Sequence, residues 1–185
     1  MKAVKPVSVD KFPGMICRGY AFDAPLNYAD PSGPTISVFA REVVAIENVA
    51  KSDLPWLFFL QGGPGFQAPR PEGLSGWIKR AAKDFRILLV DQRGTGLSTA
   101  VTEQLVLTHP TAQLQFEYLQ HFRADNIVRD CELIRKSLCH GKKVTLLGQS
   151  FGGFCSTTYL SMAPEGLSGA ILTGGLPPLV DDGDE

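Results

Sequence analysis

The chain has 185 residues, 44% of them hydrophobic and 20% charged, a balance that suits one soluble domain with its own core and excludes a disordered chain. Its formal net charge is -1 and its Lys and Arg are scattered, which leaves no basic footprint for a phosphate backbone or an anionic membrane and excludes both as expected partners. Four cysteines, Cys17, Cys131, Cys139 and Cys155, form no CxxC pair and are too few for a disulfide framework, so they read as reduced, mostly buried thiols.

The N-terminal stretch MKAVKPVSVDKFPGM lacks the apolar run of a secretory signal, and Asp10, with no Arg before Arg18, argues against a transit peptide. The strongest apolar run, Leu54 to Leu60, is far shorter than the ~20 residues that a membrane-spanning helix requires. A cytoplasmic protein is the expectation. Met15 to Phe22 and Thr35 to Ile46 are rich in β-branched and aromatic residues, and Pro25, Asp30, Pro31, Gly33 and Pro34 punctuate the gap between them. The pattern predicts an antiparallel hairpin.

From Leu54 onward, short continuous apolar runs (LPWLFFL, FRILLVD, KVTLLG, GAILTGG) alternate with stretches of helical spacing. Strands buried on both faces and separated by helices predict a parallel sheet with helical crossovers. The predicted helices are Glu72 to Lys83, Asp125 to Leu138, and Ser150 to about Ala163, the last ended by Pro164 and Gly166. Residues 1–176 are expected to form one folded unit. The acidic tail, 177–185, with Asp181, Asp182, Asp184 and Glu185, is expected to be the start of a connection without a fold of its own.

Three motifs carry chemistry. Gly148-Gln149-Ser150-Phe151-Gly152 is a G-x-S-x-G sequence between a predicted strand and a predicted helix. That context places Ser150 on a strained turn with its Oγ above the sheet, and glycines two residues either side because a Cβ there would collide with backbone. The Phe151 N–H falls at a helix N-terminus, aimed at a developing oxyanion. Gln61-Gly62-Gly63-Pro64-Gly65 follows the first apolar strand, so Gly63, or its neighbour Gly62, is the candidate second oxyanion donor. Asp91-Gln92-Arg93-Gly94-Thr95-Gly96-Leu97-Ser98 follows the next strand; it matches no phosphate-binding pattern, so Asp91 and Arg93 are expected to brace the neighbouring active-site turn.

In this order and spacing, Gln61 to Gly65, Asp91 to Ser98 and Gly148 to Gly153 resemble the oxyanion loop, the Asp-Gln-Arg-Gly loop and the Gly-x-Ser-x-Gly-Gly elbow of the proline iminopeptidase family of α/β-hydrolases. The resemblance covers about Phe39 to Leu179. It implies an α/β-hydrolase fold, a mostly parallel sheet with an antiparallel N-terminal hairpin, here truncated before the cap and the last strands. It further implies release of an N-terminal residue, preferably proline, from a small peptide with a free N-terminus, without metal or cofactor. Nothing in the sequence specifies an oligomeric state.

A serine nucleophile needs a base, and in this fold the chain order is Ser, acid, His. His109, His121 and His140 all precede Ser150, and Gly153 with Gly148 and Gly152 is assigned only to the elbow's support. Glu165 and the tail acids follow Ser150 but precede the strand after which the acid stands in this fold. The 185 residues alone are therefore expected to be inactive. An esterase or lipase, and a non-catalytic truncated isoform, are the competing readings.

Overall fold

A computed structural model describes residues 4–175. The expectations for 177–185 therefore lie outside the described residues. Seven strands form one sheet in the order β1-β2-β3-β5-β4-β6-β7, with β1 Ser8–Phe12, β2 Met15–Pro25, β3 Thr35–Ala45, β4 Trp56–Leu60, β5 Arg86–Asp91, β6 Val144–Gln149 and β7 Leu167–Thr173. The β4–β5, β4–β6 and β6–β7 pairs are parallel and the β1–β2, β2–β3 and β3–β5 pairs antiparallel, so that all strands except β1 and β3 point one way.

The predicted hairpin is β2–β3, in register from Met15 opposite Ala45 to Pro25 opposite Thr35. It gains an outer strand that the sequence reading did not include: β1 folds back on β2 through Pro13 and Gly14, the latter at φ 79°.

The helices are α1 Gly76–Ala81, α2 Glu103–Leu107, α3 Ala112–Leu119, α4 Ala124–Leu138 and α5 Phe151–Met162. α1 starts later than expected because Gly73 and Gly76 weaken its first turn, Gly76 itself sitting at φ 50°. α5 starts at Phe151 because Ser150 has a non-helical backbone, φ 53° and ψ -117°.

Period-two alternation along the central strands divides the core in two. Phe58, Leu60, Leu88, Val90 and Leu146 pack under α4 and α5 with Ile127, Ile134 and Tyr159. Leu57, Phe59, Ile87 and Leu89 face the opposite side with Met15, Val43 and Ile78 of α1. All four cysteines are free and buried. Among the described residues no helix is long and apolar enough to cross a membrane.

The chain passes from β4 to β5 on one side of β4, then to β6 on the other. The strand order thus reverses at β4, and in open α/β sheets the crevice at the carboxyl ends of such strands is where ligands bind. The turns after β4 and β6 are the two glycine-rich motifs. Among the described residues β7 is the outermost strand at the other margin of the sheet, and Ile171 is half exposed there.

Candidate active site

β6 ends at Gln149 and α5 begins at Phe151, leaving Ser150 as the whole connection. Its φ of 53° lies in the left-handed region that a non-glycine residue adopts at a cost of about 1–3 kcal/mol. Three backbone hydrogen bonds hold it there: Ser150 N–H donates to Thr173 O at 2.9 Å, and Ser150 O accepts from Gly153 and Phe154 N–H at 2.8 and 3.2 Å. The end of β7 thereby clamps the elbow from one side.

The elbow glycines are sterically obligatory. A Cβ on Gly152 would lie 1.9 Å from Leu60 O, and one on Gly148 would lie 2.3 Å from Gly152 O. Gly153 packs against Gly175, where a Cβ would come within 2.7 Å of the Gly175 Cα. Gly62 belongs to the same close-packed group, since its Cβ would stand 2.9 Å from Ser150 Cβ. Gly63 adopts φ 124°, open only to glycine, and turns the loop past the serine. The structure thus brings Gly62, Gly63, Ser150 and Phe151 together. The Phe151 N–H is in the first turn of α5, where helical geometry provides no acceptor.

Asp91 and Arg93 are both buried, but neither contacts the elbow. Asp91 accepts hydrogen bonds from Ala68 N–H at 3.0 Å, Leu97 N–H at 2.9 Å and the Arg70 guanidinium, tying the segment after the glycine loop to its own loop. Arg93 forms a two-point pair with Asp130 of α4 at 2.7 and 2.6 Å and donates to Pro25, Leu26 and His121 carbonyls. Burial pushes the Asp130 carboxyl up, against the pull of Arg93 and Tyr28. Asp91 thus ties down the segment after the glycine loop, and Arg93 ties the β2–β3 loop to α4; among the described residues no hydrogen bond of either reaches the elbow.

The residue that holds the glycine loop is Gln92, which sequence reasoning missed: its Nε2 donates to Gln61 O at 3.0 Å, at the start of that loop. The signal was available in the register, because Leu60 pairs with Val90 in parallel and the next residues of both strands must run side by side. Arg70 was missed as well. Its partner lies 21 residues away in a loop that no local pattern joins to it.

None of the three histidines hydrogen-bonds Ser150 among the described residues. His109 stacks on Tyr118 at 4.6 Å, His140 follows α4 at φ 53°, and His121 is held through its carbonyl by Arg93 and Asn126. A hollow of about 310 Å³, bounded by Gly63, Phe151, Phe154 and Gly174, opens at Ser150.

A serine on a strained strand-to-helix turn, at the point where strand order reverses and facing a glycine loop, is the arrangement that G-x-S-x-G demands. Residues 55–184 match the family described as the alpha/beta hydrolase fold. The chain belongs to the α/β-hydrolase fold family. Within that family it is 50% identical over 173 residues to a proline iminopeptidase of Aeromonas sobria, covering 93% of this chain and 40% of the relative. It is 37% identical to a proline iminopeptidase of Aspergillus aculeatus, covering 94% of this chain and 41% of that one. The chain thus spans about 40% of the length of the curated relatives it matches. The crystal structure of a probable hydrolytic enzyme from Pseudomonas aeruginosa shares the α/β-hydrolase fold, with TM-score 0.57, 16% identity, and coverage of 85% of this chain and 41% of that one.

Proposed function

We propose that the protein is a serine aminopeptidase of the proline iminopeptidase type, in which Ser150 attacks the carbonyl of an N-terminal residue, preferably proline. What carries this reading is the 50% identity to the Aeromonas relative over nearly the whole chain, combined with Ser150 held at φ 53° beside Gly62 and Gly63. The N–H groups of Phe151 and Gly63 hold the oxyanion, the C–N bond breaks, and the peptide amine leaves with a proton. Water then releases the N-terminal residue from the acyl-enzyme. Gly148, Gly152 and Gly153 keep the elbow closed while Asp91 and Arg93 fix the surrounding loops.

The proton must pass through a base that these 185 residues do not supply after Ser150. The base and its orienting acid are assigned to the part of the protein that corresponds to the remaining length of its relatives. No metal or cofactor is required, and a reducing cytoplasmic setting fits four buried thiols without a disulfide.

The first experiment is the intact mass of the native protein, captured with an antibody to residues 143–160. A mass well above 20.1 kDa is expected. That protein should react with a fluorophosphonate and release proline from a prolyl arylamide, and Ser150→Ala should lower kcat/KM by about 10⁴-fold or more. A native mass equal to that of the 185 residues, together with no labelling, would sink the assignment in favour of a non-catalytic protein.

A further inference from the structure

Ser150 stands beside two hollows of unequal size. The smaller, about 310 Å³, is the one at the serine itself. The larger, about 950 Å³, shares the Phe151 and Phe154 walls and extends from Pro64 to Phe122, Arg123 and Arg129 at the N-terminal end of α4. Gly63 lines one and Pro64 the other, so the two form a continuous depression beside the nucleophile. A peptide cleaved after its first residue is asymmetric about the scissile bond, with one residue on the acyl side and all the rest on the leaving side. The larger cleft has the volume of pockets that enclose sizeable ligands, and it suits the leaving side.

Its far wall is cationic. Asp125 there is neutralised by Arg129 at 2.6 Å, and Asn126 Oδ1 accepts from the same guanidinium at 2.8 Å. Arg123 is exposed and makes no ion pair among the described residues. It is also the N-cap residue of the 15-residue α4, whose N-terminal dipole adds positive potential. His121 is the remaining titratable histidine on this wall and adds no negative charge.

We propose that this cleft takes the leaving side of a short peptide and that Arg123 binds its C-terminal carboxylate, which selects short free peptides over C-terminally blocked ones. The inference rests on the aminopeptidase reading of Ser150. The test uses the native full-length protein carrying Ser150→Ala, so that bound peptide is not consumed, titrated calorimetrically with Pro-Ala-Ala and with Pro-Ala-Ala amide. The acid is expected to bind about five- to tenfold more tightly than the amide. Arg123→Ala should erase that difference and Arg123→Lys should keep most of it. Equal affinities, no binding of either peptide, or a preference that Arg123→Ala leaves intact would overturn the proposal.

Turnover of the same two peptides by the protein with Ser150 in place separates the two readings. A binding preference without hydrolysis removes the peptidase assignment and keeps the carboxylate site. Hydrolysis of both peptides at equal kcat/KM keeps the peptidase and removes the site.

Discussion

The Ser150 elbow and the α2–α3 segment each occupy the stretch between the end of a central strand and the next core helix, yet they are specified in opposite ways. At the elbow, steric exclusion decides everything: three glycines stand where a Cβ would come within 1.9 to 2.7 Å of neighbouring backbone. In α2 and α3 no residue is buried. Those helices are held instead by local capping, with Thr102 Oγ1 accepting from Leu105 N–H and Thr111 Oγ1 from Leu114 N–H, each at 3.2 Å. The chain fixes its geometry tightly at the turn that carries Ser150, and lets short-range hydrogen bonds suffice in α2 and α3.

The sharpest way to break the comparison is Gly152→Ala. A methyl group 1.9 Å from Leu60 O has only backbone to displace, and the parallel β4–β6 pair beneath it cannot yield without losing register. The expected loss is on the order of 4 kcal/mol or more in a urea titration. Gly73→Ala makes the same chemical change where nothing lies within 4 Å, and it should alter stability by no more than about 1 kcal/mol. Equal effects of the two would mean that the elbow is not sterically closed.

That contrast also marks how much was legible in the sequence. The elbow and the glycine loop were readable because each motif sat between a strand and the element it required, and continuous apolar runs and helical spacing gave β4, β5, β6, α4 and α5 within a few residues. β1 was missed because its five residues, Ser8–Phe12, carry little apolar pattern and gain their strand character from β2. α2 and α3 were missed for the converse reason: with no face buried they show no core periodicity, and only Thr102 and Thr111 announced them. The partners of Asp91 and Arg93 were not legible at all, since both side chains bond loops other than the elbow. Which loop an ion pair ties down depends on residues such as Arg70 and Asp130, brought together only by tertiary structure.

Beneath the elbow, α4 and α5 are joined by a buried network in which Glu132 accepts from Arg135 at 2.6 and 2.8 Å and from the Tyr159 hydroxyl. Desolvation works to raise the Glu132 carboxyl, but the Arg135 and Tyr159 hydrogen bonds outweigh it and hold it down at about 2. Its folded pKa lies below the unfolded value of about 4.3, so its contribution is complete above that pH and is lost as pH falls towards 2. Glu132→Gln should therefore destabilise the protein by about 2–3 kcal/mol at pH 7 and by progressively less between pH 4.5 and 2. Asp130, which burial pushes upward, tilts stability the other way, so the difference between the two proteins is the quantity to follow. A constant difference across that range would show that the network does not depend on the carboxylate charge.

The smallest effect belongs to the α2–α3 segment. Phe116 is 64% exposed, and Leu107 is equally so, on helices that contribute nothing to either half of the core. Phe116→Ser removes contacts that the folded chain scarcely makes and costs a little helix propensity, so the urea midpoint should move by the equivalent of about 0.5 kcal/mol or less. The result gains meaning when it is measured in the native full-length protein as well as in the 185-residue chain. A small change in both places α3 at a true surface. A loss above about 1 kcal/mol confined to the full-length protein would show that Phe116 is covered there, because an aromatic side chain that becomes buried brings at least that much stabilisation with it.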